Sequence, residues 1–90
     1  EYLEAITFYE GRQPGLGTQF NLDIEWVIQR ILESQTRWRI LDGDVRRCLA
    51  HRFPYGVLYT IETDSILILA MMHCSRKPDY WRSRLPYSTN

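Results

Sequence analysis

Two apolar runs separated by three polar residues constrain this chain more than any other feature. Residues 51–62 and 66–73 are each rich in β-branched, aromatic and long apolar side chains. Thr63-Asp64-Ser65 between them supplies turn chemistry, because Asp and Ser side chains bond their own backbone two residues on. The pattern predicts a β-hairpin. Pro54 marks the start of the first arm, where a missing N–H does little harm to a ladder. The second arm, Ile66-Leu67-Ile68-Leu69-Ala70-Met71-Met72-His73, is almost wholly apolar, which predicts a strand covered on both faces or central in a small sheet. A basic, aromatic segment, residues 75–84, leaves directly from its end.

The residues before the hairpin predict helices. Tyr2, Ala5, Ile6 and Tyr9 recur at helical spacing over residues 1–11, and Gln13-Pro14-Gly15-Leu16-Gly17 interrupts the pattern. Thr18 is the expected N-cap of a second helix. That helix carries Phe20, Ile24, Val27, Ile28, Ile31 and Leu32 on one side and ends near Gln35, with Asp23 and Glu25 early and Arg30 late, as the helix dipole favours. Residues 36–41 form a connector or short strand, Asp42-Gly43-Asp44 a turn, and residues 45–50 a strand of imperfect alternation. The order predicts an α+β domain, a helical hairpin packed on one face of a small antiparallel sheet, in a single unit over 1–90.

Composition narrows the function classes. An apolar fraction of 44% suits a packed core and argues against disorder, and no apolar run reaches the roughly 18 residues that span a bilayer. Cys48 and Cys74 form no CxxC pair, and with His51 and His73 they offer no paired zinc ligands, so both cysteines read as small buried hydrophobes in a reducing cytoplasm. Gly15 and Gly17 lie between helices and not after a strand, so they form no phosphate-cradling loop. No metal, nucleotide or organic cofactor is expected.

The net charge of zero conceals an asymmetry. Residues 1–45 hold eight acids against four arginines, and residues 46–90 hold seven bases against three acids. Ten of the eleven bases are Arg, which favours bidentate contact with phosphate or carboxylate. A basic second half suits an anionic partner.

Several short motifs, taken in order, resemble the RelE/ParE superfamily of toxins from bacterial type II toxin–antitoxin modules, often labelled plasmid stabilisation proteins. They are Phe8-Tyr9-Glu10, Gly15-Leu16-Gly17 before Phe20, Arg46-Arg47, then Arg52-Phe53-Pro54-Tyr55 leading to Leu58-Tyr59. Ala70-Met71-Met72-His73, Arg76, Pro78 and Tyr80-Trp81-Arg82 complete the set. The resemblance implies a cytoplasmic toxin held inactive by a cognate antitoxin, whose acidic amphipathic segment folds across helices and sheet. It also implies a strand ahead of the first helix. This sequence opens at the helix instead, so an exposed sheet edge, a homodimer or a toxin–antitoxin hetero-oligomer is expected.

Two targets follow from the resemblance. ParE-like members bind DNA gyrase without covalent catalysis, and the chain's single lysine and its 73–84 segment look more like that side. RelE-like members cut messenger RNA at the ribosome, for which Arg46, Arg52 and Arg76 would hold phosphate, with His73 or Tyr80 moving protons. An inactive remnant that only binds a partner is the third reading. Partner contact is expected at Arg46, Arg52, Arg76, Lys77, Trp81, Arg82 and Arg84. Each residue has a plainer reading beside it. His73 ends a strand, Tyr80 and Trp81 anchor a tail, Arg46 pairs with Asp42, Asp44 or Glu62, and Arg52 braces the hairpin.

Overall fold

A computed structural model describes residues 2–75. Helix α1 spans Tyr2–Arg12 and helix α2 spans Leu16–Glu33. Strands β1 (Arg39–Asp42), β2 (Val45–Leu49), β3 (Tyr55–Ile61) and β4 (Ile66–His73) follow in an antiparallel meander of order β1-β2-β3-β4. The architecture is α+β, and residues 36–41 contribute a strand and not only a connector.

The helical hairpin closes differently from the pattern's suggestion. Thr18 lies inside α2, whose N-cap is Gly15 at φ 90°, a left-handed conformation that glycine adopts without a Cβ penalty. The cap chemistry comes from α1. The Glu10 carboxylate accepts the Gly15 N–H at 2.9 Å and the Gly17 N–H at 3.0 Å, satisfying donors that have no intrahelical partner. Gly17 permits the approach itself, since a Cβ there would sit 2.8 Å from the Ile6 carbonyl oxygen. Tyr2 Oη donates to Asn21 Oδ1 at the far end of the pair.

The helices cover one face of the sheet. Phe20, Ile24, Val27 and Ile31 from α2 meet Cys48, Val57 and Tyr59 in a dry cluster. Leu32, expected on this side, is exposed. Val45, Leu58, Leu69, Ala70 and Met72 form a second buried cluster on the opposite face, while Ile66, Ile68 and Met71 of β4 are half-buried against the helix-side cluster; β4 thus packs on both faces but, among the described strands, lies at the edge of the sheet and not at its centre. A bulge between Leu58 and Tyr59 places Ala70 and Ile68 opposite successive β3 residues and lets Leu69 join the far cluster. Of the two cysteines only Cys48 is buried; Cys74, expected to be buried, is exposed one residue past β4. No helix among the described residues is long and apolar enough to cross a membrane.

Candidate functional site

The loop between β2 and β3 is built around one carboxylate. Asp23 sits on α2 with 6% exposure, and its oxygens accept the backbone N–H groups of His51 (2.9 Å), Arg52 (2.8 Å) and Phe53 (2.9 Å). Three charge-assisted bonds from consecutive residues compensate a charge that would otherwise be costly to desolvate. The loop closes with Ala50 N–H donating to the Tyr55 carbonyl and Cys74 N–H donating to that of Pro54, both at 2.8 Å. Helix, loop and the end of β4 are thereby locked together. Phe53 and Tyr55 project inward and contact Tyr9 and Phe20 ring to ring, with centroids 4.8–6.3 Å apart.

The same lock directs His51 and Arg52 outward. They border a cleft of about 320 Å³ whose other walls are Gln19, Leu22, Asp23 and Trp26. The Trp26 ring lies 5.5 Å from the His51 ring and 5.2 Å from the Arg30 guanidinium. The Arg52 guanidinium has no carboxylate partner among the described residues.

Sequence reasoning nominated Arg46, Arg52 and His73 within the described residues, and the structure does not bring them together. Arg46 faces the helices in the row of Tyr59 and donates through Nη1 to the carbonyls of Thr36 (2.9 Å) and Trp38 (2.8 Å). Among the described residues it forms no ion pair with Asp44 or Glu62. Tyr59 Oη donates to the Gln35 carbonyl at 2.6 Å, and burial pushes that phenol's pKa up. Arg46 and Tyr59 thus fasten three carbonyls of the α2–β1 connector.

His73 pairs with Tyr55 at the opposite end of the same face. Four residue steps along β3 separate the two rows, about 13 Å at the rise of a strand. The His73 Nδ1 accepts from the Ser75 N–H at 3.1 Å, and the Ser75 hydroxyl lies 2.8 Å away, so the neutral imidazole carries its proton on Nε2. Its ring meets that of Tyr55 at 5.2 Å. Arg52 lies at the His73 end, beyond β2. Arg76, Lys77, Tyr80, Trp81, Arg82 and Arg84 lie outside the described residues.

Sequence reasoning missed Asp23 as the loop's organiser and Trp26 as the cleft wall. Asp23 read as a dipole partner because the N–H groups that donate to it lie nearly 30 positions on. Trp26 fell off the apolar stripe of α2, and an aromatic on the polar side of a helix was the signal available for it. No family model, curated protein or solved structure matches this chain.

Proposed function

We propose that the chain is the toxin of a type II toxin–antitoxin module, ParE-like in type, neutralised in the cytoplasm by a cognate antitoxin and directed at DNA gyrase by binding. The motif resemblance supplies the family. A helical hairpin on one face of an antiparallel sheet is the arrangement that resemblance implies, and Arg52-Phe53-Pro54-Tyr55 falls on the loop locked by Asp23. One observation favours binding over catalysis: Arg46 Nη1 donates to the Thr36 and Trp38 carbonyls, about 13 Å of strand away from His73, so Arg46 is not the cation that would serve that imidazole. General acid–base cleavage of a phosphodiester needs cation and proton carrier within hydrogen-bond reach of one substrate.

The test is induction of the complete reading frame in a bacterial host, alone and with the neighbouring frame. Growth arrest with filamentation and a DNA-damage response, relieved by the neighbour, is the expected result. Rapid translation arrest with cleaved messages would transfer the assignment to the RelE-like ribonuclease. Undisturbed growth would leave only a partner-binding remnant.

A further inference from the structure

We infer that the 320 Å³ cleft between α2 and the β2–β3 loop is a binding site for a small aromatic carboxylate. This goes beyond the toxin reading and does not depend on it. The residues that line the cleft divide by chemistry. Leu22 and Trp26 stand one helical turn apart and supply an apolar wall, 57% and 38% exposed. The His51 ring, 5.5 Å from the Trp26 ring and tilted 52° to it, adds a second aromatic surface. A concavity of this size, apolar for the most part with a few convergent polar groups, is the form a small-ligand site takes. Two aromatic walls favour a flat aromatic body over a saturated one of equal size, by about two- to tenfold in affinity.

The polar groups select the ligand's charge. The side chains of Gln19, His51 and Arg52 bring N–H donors to the cleft, and none of the three makes a hydrogen bond or ion pair with another described residue. Asp23 also borders the cleft, but it is 6% exposed and its oxygens already accept three backbone N–H groups. Uncommitted donors therefore outnumber uncommitted acceptors, which suits an oxyanion. Glu25 does not line this cleft. It bounds a separate recess across the Leu22–Trp26 edge, where Asn21 Nδ2 donates to it at 3.5 Å. An extended acidic chain lying over that edge would meet the Glu25 charge, whereas a compact ligand stays on the loop side. The occupant is thus a small molecule with a flat apolar body against Leu22, Trp26 and His51 and one carboxylate toward Arg52 and Gln19. Because Asp23 holds the loop before any ligand arrives, little ordering is lost on binding.

The experiment is amide NMR of the full chain titrated with 2-naphthoate, uncharged 2-naphthamide, cyclohexanecarboxylate and inorganic phosphate. The naphthoate should shift Gln19, Leu22, Trp26, His51 and Arg52 to saturation and bind at least about tenfold more tightly than the amide. It should also bind about two- to tenfold more tightly than the saturated carboxylate. Arg52→Gln should weaken the naphthoate about tenfold and leave the amide unchanged, which separates lost charge from lost fold. Because Arg52 is exposed, that variant keeps the parent Tm. Equal affinity for naphthoate and amide, shifts that do not saturate, or shifts centred elsewhere on the surface would overturn the inference. So would the same shifts from phosphate alone, which would mean an adventitious ion only. A Glu/Leu/Ala peptide of about 18 residues that binds more tightly than the naphthoate would likewise overturn it and give the cleft to a protein partner. The titration does not involve gyrase or growth, so the toxin assignment and the ligand site stand or fall separately.

Discussion

Gly11 and Gly17 lie in neighbouring helices of one hairpin, and the same substitution should move stability in opposite directions. A Cβ at Gly11 meets nothing within 4 Å, so Gly11→Ala should stabilise by about 0.5–1 kcal/mol through helix propensity. At Gly17 the same gain is outweighed by a Cβ placed 2.8 Å from the Ile6 carbonyl oxygen and 3.0 Å from Glu10 Cβ. Forcing the helices apart should give a net loss of about 1–2 kcal/mol, read in denaturant melts of the pair. Asp23→Ala removes the shared acceptor of three N–H groups and should cost about 2–4 kcal/mol, with amide exchange at residues 51–53 rising first. Cys48 makes a pH prediction. Burial pushes its thiol from 9.0 up to about 11, against the opposing pull of the Arg30 and Arg37 charges. As pH rises through that window the unfolded chain releases this proton while the folded chain keeps it, so stability should fall. Cys48→Ala should flatten the slope of unfolding free energy against pH. In the native protein a thiol reagent should modify exposed Cys74 and leave Cys48 intact.

Elements were legible in the sequence wherever a period was strong and a breaker stood between runs. Apolar residues at helical spacing marked both helices, and Thr63-Asp64-Ser65 marked the β3–β4 hairpin. The joints were less legible, because their chemistry comes from residues distant in sequence. Thr18 looked like a cap, yet Glu10 reaches across the turn to do that work. Arg46 suggested an ion pair or a phosphate ligand, since Asp42 and Asp44 lie nearby in sequence and carbonyls leave no mark there. The register that places Arg46 beside Tyr59 explains the outcome: a guanidinium and a phenol on neighbouring strands reach three carbonyls between α2 and β1. Arg46→Ala strands two of them and should cost about 2–3 kcal/mol. Arg46→Lys, with one ammonium in place of a planar fork, should recover only part of that loss. Urea melts of both variants against the parent would check the two losses.

At the scale of the whole fold, the described arginines of the sequence's basic half do not gather on a single face. Among the described residues Arg46 is turned to the connector carbonyls, Arg52 borders the α2 cleft, and the Arg47 stem lies across Gly56 on the far side of the sheet. Counting residues along a chain gives the sign of a partner's charge but not the surface that meets it, because alternation on a strand sends adjacent arginines to opposite sides. The Asp23 lock has a consequence for how such a surface changes over evolutionary time. Its contacts at 51 and 52 are to main-chain N–H groups, which every residue except proline provides. Side chains at those two positions are therefore free to be exchanged while the loop stays anchored. Substitutions at 51 and 52 can thus accumulate and remake the outer surface of that loop while its anchorage to α2 persists.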